Sequence, residues 1–111
     1  ATANLMMQCA RADGEEEEAW AMFEALGVRG RDRRSYTIMI SMSDGVQQAM
    51  DLVERAVAEG VGTNAHMFNA ALEVGLCKSG TEGYAVVRRE MREHGVFANS
   101  MTQRLDKRAE A

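Results

Sequence analysis

Apolar positions recur along this chain with helical spacing, and the clearest example runs from Ala65 to Asn99. Phe68, Ala70, Ala71 and Leu72 share one helical stretch that stops at Lys78-Ser79-Gly80. A second stretch starts at Glu82, carries Val86, Val87 and Met91, and stops at Gly95. Ser-Gly and an isolated Gly are helix-ending signals, so the segment reads as one helix–turn–helix hairpin. One hairpin buries a single face of each helix and is not stable alone, which raises the question of repetition.

The pattern repeats. Residues 33–64 align with 65–99: Tyr36-Thr37 matches Phe68-Asn69, and Gly60 matches Gly95, each four residues before an Asn, Asn64 and Asn99. The shorter unit loses its residues in the turn, where Ser43-Asp44-Gly45 replaces the longer Cys77-Lys78-Ser79-Gly80 region. Residues 1–32 align through Ala19 to Phe23, which puts Asn4 in the column of Thr37 and Asn69, and Asp32 in that of Asn64 and Asn99. A partial fourth unit occupies 100–111. First helices are predicted near 2–12, 33–42, 66–78 and 100–108, and second helices near 15–28, 46–59 and 82–94. Asp32, Asn64 and Asn99 suit the N-caps of the first helices that follow them. Asp13 with Glu16, and Asp44 with Gln47, read as capping boxes opening second helices.

Core columns agree with this phase: Ala19, Ala49 and Tyr84; Met22, Leu52 and Val87; Leu26, Ala56 and Met91. They are expected to pack on first-helix residues such as Met6, Met39, Ile40 and Leu72. Tyr84 and Arg88 break the apolar pattern, which places them against a partner or the next repeat. The expected fold is all-α: an α-solenoid of about three helix hairpins plus a terminal helix, with stability coming from stacked neighbours.

Composition agrees. The 111 residues contain no proline, and 46% are apolar against 27% charged, values that suit a helical globular chain with short connections. Nine methionines are expected to act as adaptable core filler. Cys9 and Cys77 form no C-x-x-C pair and read as small buried hydrophobes. No apolar run approaches bilayer length, so no membrane span is expected. The chain begins at Ala1 in mid-pattern, as expected of part of something longer.

Phe68-Asn69, then Gly75-Leu76-Cys77-Lys78-Ser79-Gly80, then Arg89-Glu90-Met91-Arg92-Glu93-His94-Gly95 resemble the pentatricopeptide repeat family. They match its aromatic-Asn start, its G-L-C-K-x-G turn and its E-E-M-x-x-x-G close. Ser35-Tyr36-Thr37 and Ala19 to Leu26 are similar but looser. Ala98 and Thr63 stand where the family usually has proline, and Ala3 replaces the first aromatic. The resemblance implies an organellar protein, mitochondrial or plastid, that binds single-stranded RNA one base per repeat. It further implies base contacts by Asn4 with Asp32, Thr37 with Asn64, and Asn69 with Asn99, suggesting uracil, adenine and a pyrimidine, cytosine favoured. Helix capping explains Asp32, Asn64 and Asn99 equally well.

Charge bears on this. The net charge is −4, unfavourable for phosphate binding, which leans on Lys and Arg. The distribution is uneven, however. In the first helices, their adjoining loops and the last helix, basic residues outnumber acidic ones, while second helices are acidic. Arg11, Arg33, Arg34, Lys78 and Arg104 are the candidate phosphate contacts. Glu15 to Glu18 read as a solvated, acidic first helical turn.

No catalytic constellation emerges. His66 and His94 fall at a helix start and a helix end, where exposed histidines are expected, and no H-E-x-x-H, G-x-S-x-G, phosphate loop or metal-ligand spacing is found. Neither enzyme activity, a cofactor nor a small-molecule substrate is expected. Two functions remain: RNA binding on the first-helix face, or an accessory subunit packed against protein in an organellar assembly.

Overall fold

The computed structural model describes residues 16–110, and these are all-helical, with no strand among them. The predicted helix at 2–12, together with Asn4, Met6, Cys9, Arg11 and Asp13, lies outside the described residues. Helix α1 spans Glu16–Gly30, broken at Gly27 by a positive φ of 69°. α2 spans Arg33–Ser41 and α3 Val46–Ala58. α4 spans Ala65–Val74 and runs into a π-turn at Gly75–Ser79; α5 follows over Gly80–Glu93 and α6 over Ser100–Glu110.

Local chemistry sets most of these boundaries. Asp32 caps α2 in a reciprocal box with Ser35: the Ser35 N–H donates to Asp32 Oδ1 at 2.9 Å, and the Asp32 N–H donates to Ser35 Oγ. Asn64 Oδ1 accepts from the Met67 N–H at 2.9 Å, and Asn99 Oδ1 from the Thr102 N–H at 3.1 Å. The matched glycines also behave alike. Gly60 and Gly95 have φ of 78° and 71°. Val61 N–H reaches back to Ala56 O and Gly60 N–H to Val57 O, just as Val96 reaches Met91 and Gly95 reaches Arg92. This paired six-to-one and five-to-two bonding is the Schellman closure, which favours Gly because its central residue is left-handed.

The Asp44–Gln47 capping box does not form. Gly45 is the N-cap of α3 and offers no side chain. The Asp44 N–H instead donates to Gln48 Oε1 at 2.8 Å, and Gln47 Nε2 donates to Asp51 Oδ1. The π-turn was also unforeseen. There the end of α4 comes close to α5: a Cβ on Gly75 would lie 3.1 Å from the Gly83 carbonyl carbon, and one on Gly83 only 2.4 Å from Cβ of Ser79, one turn earlier in the chain. Within this turn Cys77 is an exposed free thiol rather than a buried hydrophobe, because the five-residue turn breaks the helical register that predicted its burial.

α2, α4 and α6 pack in sequence along one side, α2 on α4 and α4 on α6. α3 and α5 lie behind them, each packed on the first helix of its own hairpin, and α1 packs on α2. Tyr36, Phe23, Phe68, Met39, Ile40, Met67, Leu72 and Met91 are fully buried between the rows. Most predicted core columns are buried, with Met22 and Leu26 at the margin. Tyr84 and Arg88 face the following helix. The Tyr84 hydroxyl donates to Asp106, and Arg88 Nε lies 3.2 Å from the same carboxylate, so the misfit pair docks α6.

Candidate nucleic-acid interface

Two adjoining cavities run across the side formed by α2, α4 and α6. The larger, of about 820 Å3, is lined by Arg31, Asp32, Arg33, Arg34, Thr37, Glu59, Gly60, Val61, Asn64 and His66. The smaller, about 330 Å3, shares Arg34, Thr37 and His66 and adds Asn69, Glu73 and Met101. The shared residues make the two one groove, open to solvent. Its larger part falls in the size range of small-ligand pockets.

Thr37 and Asn64 both line the larger cavity. Thr37 is half-buried, and its hydroxyl donates to the Arg33 carbonyl at 2.7 Å, which leaves its oxygen as an acceptor. Asn64 spends its Oδ1 on the α4 cap, while its Nδ2 makes no hydrogen bond among the described residues. An acceptor and a donor therefore line the same cavity. Asp32 also lines this cavity and is engaged in the α2 cap.

Asn69 and Asn99 have a different environment. Asn69 is buried; its Nδ2 donates to Asn99 Oδ1 at 3.0 Å, and its Oδ1 accepts from Thr102 Oγ1 at 2.6 Å. Asn99 Oδ1 also serves the α6 cap. The pair is thus a closed polar bridge between α4 and α6. Of the candidate phosphate contacts, Arg33 and Arg34 are exposed in the groove, whereas Lys78 and Arg104 are exposed but line neither cavity.

His66 is the groove residue that pattern reading assigned no role. It follows Asn64 by two positions, where helical geometry directs it beside the cap, yet an isolated histidine at a helix start carries no signal of that. Arg31 is the reverse case. Counted with the basic face, it is buried instead, 3.5 Å from Glu59 and 3.9 Å from Glu24, with its guanidinium carbon 5.0 Å from the Phe23 ring centre. Arg55 stacks on Phe23 at 5.4 Å and grips Glu24 through two hydrogen bonds of 2.8 and 3.1 Å. Hydrogen bonds from Tyr36 and then Arg55 outweigh burial and hold the Glu59 carboxyl below its ordinary range. Burial, then the bond to Glu59, pushes the Tyr36 phenol up.

His94, expected to be exposed, is half-buried against Phe68, with ring centres 5.5 Å apart. No helix among the described residues is long and apolar enough to cross a membrane. No protein-family model matches this chain, and no curated protein or solved structure does either.

Proposed function

We propose that this chain is a pentatricopeptide-like α-solenoid segment that binds single-stranded RNA in its groove, within an organelle. The observation that carries the reading is the pairing of Thr37 and Asn64 in a groove whose exposed cations are Arg33 and Arg34. The acceptor on Thr37 and the donor on Asn64 complement the amino group and ring nitrogen on the Watson–Crick edge of adenine. Cytosine offers the same order on a smaller ring, while uracil and guanine reverse it. His66 and Arg34 flank the pair and suit stacking on a base face. The matched caps and Schellman closures at equivalent repeat positions support the repeat parse over 33–64 and 65–99.

The closed Asn69–Asn99–Thr102 bridge leaves the third pair unable to read a base without opening. RNA selection is therefore assigned chiefly to Thr37 and Asn64. Filter binding of single strands that differ at one base tests it. Adenine or cytosine at that site should bind at least tenfold tighter than uracil or guanine, and Asn64→Ala should abolish the preference. Equal affinity for all four bases would sink the reading.

One observation favours the second function, an accessory subunit of a protein assembly. Phe97 is 89% exposed, and a large ring left in solvent suits a protein partner. Pull-down from organellar extract with wild type and Phe97→Ser separates the two: loss of a bound complex with RNA affinity intact would favour this function.

A further inference from the structure

Behind the groove, Glu54 on α3 faces Glu90 on α5 and His94 at its C-cap, and we propose that these three side chains form a site for a divalent transition-metal ion, with Zn2+ the best fit. Glu90 and His94 are one helical turn apart and so share a face. His94 Nε2 lies 3.6 Å from Glu54 Oε1 and 3.8 Å from Glu90 Oε2. One ligand atom from each residue falls within 4.8 Å of the other two. Tetrahedral Zn2+, with bonds of about 2.0–2.2 Å to nitrogen and oxygen, holds its ligands about 3.3–3.6 Å apart. Small rotamer adjustments close the difference.

The surroundings favour a cation there. Two carboxylates from different helices converge, and like charges held together disfavour each other unless a positive group sits between them. Among the described residues, neither Glu54 nor Glu90 is ion-paired with any Lys or Arg. His94 is pre-positioned, its ring tilted by 46° against Phe68. Glu54 is 64% exposed, so water can complete the coordination. One imidazole nitrogen with two carboxylates suits zinc, cobalt or nickel. Calcium requires six to eight oxygens and magnesium an octahedral shell with several waters. The bound ion would clamp the second helix of one hairpin to that of the next, stiffening the scaffold behind the groove. The site is independent of whether RNA occupies that groove.

The test is a Zn2+ titration of the full chain carrying Cys9→Ser and Cys77→Ser, which removes competing thiolates. The chain has only two histidines, so their ring-proton resonances locate the ion. Expected are one-to-one binding, movement of the His94 signals with those of His66 unchanged, and a Tm rise on the order of 10 °C at a hundredfold excess over Kd. Glu54→Gln, an isosteric change at an exposed residue, should weaken binding at least tenfold, and Glu93→Gln should leave it unchanged. Absence of saturable binding, both histidines shifting together, or a Glu54→Gln chain that binds like wild type would each overturn the site and leave a simple ion pair.

Discussion

Arg31 carries its charge on a side chain only 5% exposed, where an unpaired guanidinium is strongly disfavoured. Glu59, 14% exposed, is the partner that makes this tolerable, and it also serves Tyr36 and Arg55. Arg31 Nη1 has no hydrogen bond, so the ion pair to Glu59 is its only compensation at that atom. Glu59→Gln should therefore cost about 3 kcal/mol, as breaking a buried pair does. Tyr36→Phe removes one donor to a charged group and should cost about 1.5–2 kcal/mol. Glu24, half-exposed, should cost well under 1 kcal/mol as Glu24→Gln. Urea unfolding measures all three, and a Glu24→Gln loss equal to that of Glu59→Gln would refute the ordering. None of this was legible in the sequence. Arg29, Arg31 and Arg33 alternate as a solvated run would. Only the kink at Gly27 and the distant Glu59 turn the middle one inward.

The starts of first helices were legible, while the α3 start, the π-turn and the helix crossings were not, because a cap is written in adjacent residues. Asp32, Asn64 and Asn99 place the starts of first helices to within a residue, and Gly60 and Gly95 close the second helices before them. Thr37 and Asn64, aligned as a pair by the repeat phase, line one cavity. The bridge that closes off Asn69 depends on where α6 docks, which pattern alone does not convey. Gly83 shows the same limit. In an ordinary helix interior Gly→Ala is stabilising by about 1 kcal/mol. Here the added Cβ would lie 2.4 Å from Ser79 Cβ, which is fixed to the backbone, and 2.9 Å from Val46 Cγ2. Overpacking of that kind costs about 1–3 kcal/mol. Gly83→Ala should lower Tm by several degrees despite its better helix propensity, a result read directly from a circular dichroism melt. A higher Tm would mean that Ser79 and Val46 do not press on Gly83 this closely.

At the scale of the molecule, charge decides both the pH range of stability and the strength of any RNA contact. Hydrogen bonds from Arg55 hold Glu24 low, and those from Tyr36 hold Glu59 low. Burial pushes Asp106 up, but bonds from Tyr84 and Arg88 outweigh it. Groups depressed in the folded state stabilise it fully above their unfolded values, about pH 4, and that stability is lost as pH falls through the folded ones. Burial and carboxylate bonds raise Tyr36 and Tyr84, so their contribution is complete below about pH 10 and is lost as pH climbs further. Tm should be level between these limits and fall on both sides, and Tyr84→Phe should soften the alkaline fall. Over the level range the net charge of −4 repels a polyanion at long distance, so the proposed RNA contact would have to rest on local cations. Each phosphate neutralised on a single strand adds about −0.7 to the slope of log K against log salt. If Arg33 and Arg34 each meet one phosphate, Arg33→Gln with Arg34→Gln should flatten that slope by about 1.4. Lys78→Gln, outside the groove, should leave it alone. Titrations at several salt concentrations give the slopes. A Lys78 effect as large as that of the arginine pair would move the RNA path off the α2–α4 groove.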